Sequence, residues 1–388
     1  MSDKMFDKSR RNFLLATASA GVAGSIADLS TASAAPDTAN RSGDMEDLKY
    51  VATRPDKPIK PATILGVPRF VDHESDLRVH LGLHTDSNFV VTNLKGEDGR
   101  QFQIILHQMV VNPKKDPLQY PLMLSIVSLS DRANKRYMQR ETVYKSGQFR
   151  ISTQRLDIGC PTSGISGSLD QMQLWAELPD GAGKFELRLK RVGPALDNCA
   201  TGFFPFLSNE VQVWQSSLPY LRAEGTLTLD GKAIRIAGDA WLDRQWNDMS
   251  ADFFAKKTKW KWMNLNLSNG HKMSVWDMTV DGKNENAWTT IMSPQGTHIV
   301  ADIVPLAQDE ADYWISPVTK QRYATKYTVR VPALKTELHV KVWDGLPQQE
   351  IVSPSGDDKY EAACTVEGRF MGETVSGFNC VELVGNFR

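Results

Sequence analysis

Beyond residue 68 the chain alternates apolar and polar residues with a period of two almost everywhere. "QFQIILHQMVV", "KFELRLKRV", "GTLTLDGKAIRIAG", "WMNLNLSNGHKMSVWDMTVDGK" and "TKYTVRVPALKTELHVKVW" all read this way. Turn pairs punctuate them at Asp98-Gly99, Asp180-Gly181, Asp230-Gly231, Asn269-Gly270 and Asp281-Gly282. Such pairs supply the positive φ that tight hairpin turns need. Many short strands joined by hairpins predict an all-antiparallel sandwich or barrel. Helical periodicity is weak, and no fixed-period repeat is evident. The 388 residues exceed what one core usually serves, so two domains are expected.

The first residues belong to a different regime. "SRRNFLLATASAGVAGSIADLSTASA" has a charged start, a short apolar run and the small-residue site Ala32-Ser33-Ala34. That order defines an export signal, too short to span a bilayer. Ser9-Arg10-Arg11 before Phe13-Leu14 resembles a twin-arginine signal, the address bacteria use for proteins exported already folded. The expected partner is then the twin-arginine export machinery, and the expected destination is the periplasm or the medium. The expected organisation is a signal peptide over 1–34, a mobile leader over 35–68, an N-terminal domain over 69–248 and a C-terminal domain over 249–388. No other segment approaches the length of a transmembrane helix.

Removing residues 1–34 takes away four basic and three acidic residues, which moves the net charge from −1 to −2. A balance this close to neutral gives no reason to expect nucleic acid or an anionic membrane as partner. Four cysteines, Cys160, Cys199, Cys364 and Cys380, allow disulfides Cys160–Cys199 and Cys364–Cys380 outside the cytoplasm. Folding before export argues against them, and spacing does not choose among the three pairings.

Common catalytic signatures are missing. "GISGS" ends on Ser168 where a nucleophile elbow needs glycine. His80 and His84 have the i, i+4 spacing of a zinc motif, but "HLGLH" lacks its glutamate, so surface or hydrogen-bonded histidines are the better reading. No Gly-rich phosphate or dinucleotide loop occurs, and neither a metal nor a cofactor is expected. "KKTKWKW" interleaves Lys with Trp, and an amphipathic strand accounts for it without nucleic acid. Eight of the ten tryptophans lie between Trp241 and Trp343, a density that suits a cleft lined for an apolar ligand.

"DAWLDRQWND", Asp239 to Asp248, concentrates both charge and Trp. With its preceding hairpin it reads "YLRAEGTLTLDGKAIRIAGDAWLDRQWND". This resembles the carotenoid 1,2-hydratase (hydroxyneurosporene synthase-like) family, whose β-hairpin leads into G-x-x-W-x-D-[His/Arg]-x-W. The matching positions are Gly238, Trp241, Asp243, Arg244 and Trp246. The resemblance covers about residues 70–290 and implies two consecutive lipocalin-like β-domains. It also implies a hydrophobic small-molecule substrate. Relatives add water to a trisubstituted isoprenoid double bond, and similar Diels–Alderases fold a polyene between the domains.

The family's implicated groups are a His and a Trp in D-H-x-W and a Tyr and an Asp in a downstream Y-x-D. Here those positions hold Arg244, Trp246, Val275 and Asp277. Arginine stays protonated and transfers protons poorly, so a carboxyl must be the acid. Asp277, or else Asp243, is expected to be held protonated in an apolar pocket and to protonate an alkene. The faces of Trp246, Trp241 or Trp276 would stabilise the resulting cation, and Trp260 and Trp262 would line the pocket with Arg244. Water addition gives hydration, proton loss gives isomerisation, and the reverse gives dehydration. Alternation puts Trp241 and Asp243 on one face and Arg244 and Trp246 on the other, so the two pairs share a pocket only if the strand bends or ends. A cyclase that shapes a polyene and a non-catalytic carrier of a hydrophobic ligand are the competing expectations.

Overall fold

The computed structural model describes residues 69–112, 121–206, 211–248, 258–354 and 356–388. The signal peptide expected at 1–34 and the leader at 35–68 lie outside the described residues. Apart from a few single 3-10 turns, the described chain is antiparallel β-structure, as alternation predicts.

The first sheet is built from β1 (Thr85–Gly96), β2 (Gln101–Val111), β3 (Leu122–Asp131), β4 (Arg136–Tyr144), β5 (Arg150–Ile151), β6 (Leu156–Cys160), β7 (Ser163–Gly167), β8 (Gln171–Glu177), β9 (Gly183–Arg191), β10 (Leu196–Asp197), β11 (Phe203–Phe206), β12 (Val211–Leu229) and β13 (Lys232–Asn247). Its order is β4-β3-β2-β1-β13-β12-β9-β8-β7-β6-β5, with β10 and β11 added along β12. Met123 and Val127 of β3 share one core with Ile158 of β6 and Ile165 of β7, from the far end of that order. The sheet therefore curls on itself, and Tyr144 of β4 reaches Thr162 beside β7 at 2.8 Å. This is the half-barrel of a lipocalin-like domain.

The second sheet repeats the plan with β14 (Thr258–Leu267), β15 (Lys272–Val280), β16 (Lys283–Met292), β17 (His298–Asp302), β18 (Ala311–Ile315), β19 (Arg322–Val331), β20 (Thr336–Val342), β21 (Glu350–Ile351), β22 (Lys359–Phe370) and β23 (Glu373–Gly385). Its order is β17-β16-β15-β14-β23-β22-β20-β19-β18, with β21 on β22. Its own concave core holds Met263, Val275, Tyr327, Val340 and Leu383.

The turn pairs sit where they were expected. Asp180-Gly181, Asp230-Gly231 and Asp281-Gly282 have positive φ at both positions and join β8 to β9, β12 to β13 and β15 to β16. The β12–β13 hairpin is the spine, at 19 and 16 residues. Pro219 falls where the β12 register shifts, between Leu218 and Leu221, so its missing N–H costs no ladder bond. At Gly238 a Cβ would lie 2.1 Å from the Asn93 carbonyl oxygen. The close approach of β13 to β1 thus requires the glycine of the G-x-x-W pattern.

A third cluster joins the two sheets. It contains Phe89, Val91, Ile105, Phe204, Phe206 and Trp241 from the first, and Trp262, Trp276, Met278 and Trp288 from the second. Each sheet thus buries both faces, one in its own half-barrel and one against the other sheet. All four cysteines are free thiols. Cys364 joins the second sheet's own core, while Cys380 on the adjacent strand faces the inter-sheet cluster. Their side chains leave opposite faces of one sheet, so the pairing that the spacing allowed is not made.

Candidate functional site

The inter-sheet face is organised in two cross-strand rows. Register partners in antiparallel strands present side chains to the same face. Across the first sheet, Ser217 lies opposite Asp243, Asp243 opposite Phe89, Phe89 opposite His107, His107 opposite Ile126, and Ile126 opposite Glu141. Across the second, Trp288 pairs with Trp276, Trp276 with Trp262, Trp262 with Glu382, and Glu382 with Glu361. The rows meet where Phe89 packs edge-on against Trp262 at 5.7 Å. Ser353 also donates to the Glu141 carboxylate at 2.7 Å. One half of the interface is therefore aromatic and the other half titratable.

The aromatic half is dense. Trp276 and Trp288 stack at 6.0 Å, and Phe204 packs on both. Trp241 lies edge-on to Trp262 at 6.4 Å. The Trp262 and Trp276 indoles both donate to the Ser274 hydroxyl, at 3.0 and 3.1 Å, which fixes the two rings relative to each other.

Asp243 stands at the boundary between the halves. It is buried, and the Trp241 indole Nε1 donates to its Oδ1 at 2.6 Å. Burial pushes its pKa up to about 7, against the downward pull of Ser217 and Trp241; the nearby Glu382 charge adds to the rise. A carboxyl so placed is available in its neutral, proton-donating form close to neutral pH.

The titratable half continues through His107, Glu361, Glu382, Lys359 and Glu141. His107 accepts or donates at 2.8 Å with the Ser87 hydroxyl through Nε2, while its Nδ1 has no hydrogen-bond partner. Burial, with Lys359 nearby, holds its pKa well below the usual histidine range. Glu361 is fully buried, with neither carboxyl oxygen hydrogen-bonded and the Lys359 ammonium 4.0 Å away. Burial raises its pKa to about 8 despite Lys359. Glu382 accepts from the Trp260 indole at 3.0 Å.

The structure separates the residues that the family pattern would group. β13 ends only at Asn247 and is paired on both sides through Trp246, so its alternation holds across Asp243, Arg244 and Trp246. Arg244 and Trp246 consequently point away from Asp243. Arg244 grips Asp86 through both terminal nitrogens at 3.0 Å and donates to the carbonyls of Asp76, Arg78 and Ser87. Those bonds use all five guanidinium donors. The cluster ties the 72–84 segment to the end of the half-barrel and leaves Arg244 no donor for a ligand. Trp246 stacks on His80 at 4.4 Å, and His80 contacts Asp86 and Asp76 at 2.7 and 3.1 Å.

Asp277 shares the face of Val275 and Met273, inside the second half-barrel. It accepts from the Leu306 N–H at 2.8 Å and pairs across strands with Lys261, which in turn bonds Glu310 at 2.5 Å. Burial raises its pKa, while Lys261 and the Leu306 and Ala307 amides pull it down. Asp243 and Asp277 therefore occupy different compartments. Of the eight expected residues, the interface brings together Asp243, Trp241, Trp260, Trp262 and Trp276.

His107, Glu361, Glu382, Lys359 and Ser217 were not singled out by sequence. Their one signal is parity: His107 shares a face with Gln103 and Ile105 in "QFQIILHQMVV", and Glu361 interrupts an apolar run in "KYEAAC". Among the described residues no cluster of His, Cys, Asp and Glu has the arrangement of a metal site.

The model of the AttH-like family matches residues 68–386. Among solved structures, an AttH protein of Nitrosomonas europaea has a TM-score of 0.69 at 20% identity, over 84% of this chain and 100% of that one. Kievitone hydratase of Nectria haematococca has a TM-score of 0.65 at 19% identity, over 83% of this chain and 94% of that one. Both are similar to the chain in fold. No curated protein matches it.

Proposed function

The chain belongs to the AttH-like family, and within it we propose an enzyme that hydrates, dehydrates or isomerises an alkene or tertiary alcohol of a hydrophobic isoprenoid, terpenoid or polyene compound. The observation that carries this reading is Asp243, a buried carboxyl with its pKa near 7 set against Trp241 and Trp262. The fold shared with a hydratase supports it.

The steps follow from these residues. Neutral Asp243 protonates one alkene carbon, and the electron pair of the double bond becomes the new C–H bond. The tertiary cation is held against the faces of Trp262 and Trp241, whose quadrupoles favour positive charge. Water adds to give the alcohol, or an adjacent proton leaves to give the isomeric alkene. The apolar wall of Trp276, Trp288 and Phe204 takes the hydrocarbon tail. We also propose that the protein is exported by the twin-arginine route to the periplasm or medium, which its leader sequence supports.

The test is incubation of the protein lacking residues 1–34 with a panel of prenyl phenols and terpene alcohols. Gain or loss of one water, abolished by Asp243→Asn, is the expected result. Retention of ligand without conversion would point to a carrier. Export is checked by fractionating the bacterial host: a Lys pair replacing Arg10-Arg11 should keep the protein in the cytoplasm.

A further inference from the structure

Proton transfer from Asp243 leaves an accounting problem that the second wall addresses. After protonation of an alkene, Asp243 is a carboxylate. The water that adds then loses a proton, either straight back to Asp243 or to a second base, from which it must return to Asp243 before the next turnover.

Glu382 and Glu361 are direct register partners on β23 and β22. Cβ atoms in such pairs lie about 5 Å apart, so the two carboxyls share one small volume. Glu382 follows Trp262 in the same row, beside the ring proposed to face the cation. Its carboxylate is oriented by the Trp260 indole at 3.0 Å. Glu361 is fully buried, and neither of its oxygens has a hydrogen-bond partner. The unpartnered Nδ1 of His107, also buried, lies on the opposing wall. Burial keeps Glu361 largely in its neutral form at neutral pH even with the Lys359 ammonium 4.0 Å away.

We propose that Glu382 serves as the base for the adding water, as the catalytic group, and that its register partner Glu361 is the residue that positions it. This rests on the hydration reading above. As the water oxygen bonds to the cationic carbon, one of its O–H pairs stays on oxygen and the proton passes to the Glu382 carboxylate. The net change is alkene plus water to alcohol, with one proton moved from Asp243 to Glu382. Return of that proton to Asp243 resets both groups. In dehydration the order reverses: Glu382 protonates the hydroxyl, water leaves, and Asp243 takes the proton from carbon.

The pair is surrounded by groups that titrate or carry charge. Lys359 lies on the strand of Glu361, Glu141 and Tyr137 on β4, His107 on β2, Asp243 on β13, and Cys380 on β23. A bulk pH profile alone will not isolate it, so the test has two arms.

The first arm needs no substrate. Infrared difference spectra between pH 6 and pH 9, taken in an Asp243→Asn background, should show the C=O stretch of a protonated carboxyl that disappears when Glu361→Gln is added, while the fold, read by circular dichroism, is kept. A band of unchanged intensity on adding Glu361→Gln would overturn the neutral Glu361 beside the base. The second arm uses 2-prenylphenol in deuterated water. Glu382→Gln should lower water addition at least about a hundredfold, the lower end for a general base, while deuterium still enters the recovered alkene from Asp243. Glu361→Gln should shift the pH profile of turnover. Full water addition by Glu382→Gln would overturn the base role and leave the Asp243 reading standing. No water addition by the wild-type protein would sink the base role with the hydration reading, while the first arm still decides whether Glu361 is neutral.

Discussion

Trp241 and Asp243 stand two residues apart on one face of β13, joined by a 2.6 Å bond from the indole nitrogen to the carboxylate. That bond favours the ionised acid, and burial opposes it and wins. Trp241→Phe keeps an aromatic ring and removes the donor. The alkaline limb of the activity profile should then move to higher pH, because the neutral acid persists further. A limb that stays in place would show that another group sets it.

Stability should fall as pH rises from about 4 to about 8 and level off above that. The folded pKa of Asp243 is about 7 and that of Glu361 about 8, both raised above their ordinary values chiefly by burial. A raised carboxyl contributes stability that is fully present below its unfolded pKa and is lost as pH rises through the folded one. The window is therefore about pH 4 to 8, with a loss on the order of a few kcal/mol. Thermal unfolding at pH 6 and pH 9 measures it. Asp243→Asn, neutral at both, should flatten the decline.

Arg244 is a structural residue in this arrangement. Arg244→Met leaves Asp86 buried with His80 as its remaining charged partner, which should cost about 3–5 kcal/mol in denaturant unfolding. The deficit should deepen as pH rises, because His80, whose pKa its bonds to Asp76 and Asp86 raise against burial, loses its charge. At a temperature where the variant stays folded, turnover per folded molecule should be near normal. A selective loss of substrate affinity would instead return Arg244 to the binding site.

Thiol titration of the unfolded protein should count four free cysteines, and a reductant should leave the melting temperature unchanged. Cys364 and Cys380 face opposite sides of their sheet, so their oxidation to each other would require local unfolding.

The fold was readable because alternation and Asp-Gly pairs are local signals, and each pair expected to turn the chain does so. Parity along β13 also separated Asp243 from Arg244 correctly. The inter-sheet cluster was not readable, because period two names the face of a strand without saying what covers it. The interface is assembled from residues 107, 243, 361 and 382, which no local pattern relates. The family pattern did not foretell one feature: Asp277 and Arg244 occupy implicated positions, and their side chains enter the two separate half-barrels. The tryptophan density was informative, since Trp241, Trp260, Trp262, Trp276 and Trp288 all converge on the inter-sheet face.

The central claim is that Asp243 is the acid and Asp277 is not. The most direct measurement compares Asp243→Asn and Asp277→Asn for water addition to the best substrate of the prenyl-phenol panel, both checked for native circular dichroism. The account predicts at least about a hundredfold loss for Asp243→Asn and near wild-type turnover for Asp277→Asn. Near wild-type turnover in Asp243→Asn, with Asp277→Asn inactive, would contradict it.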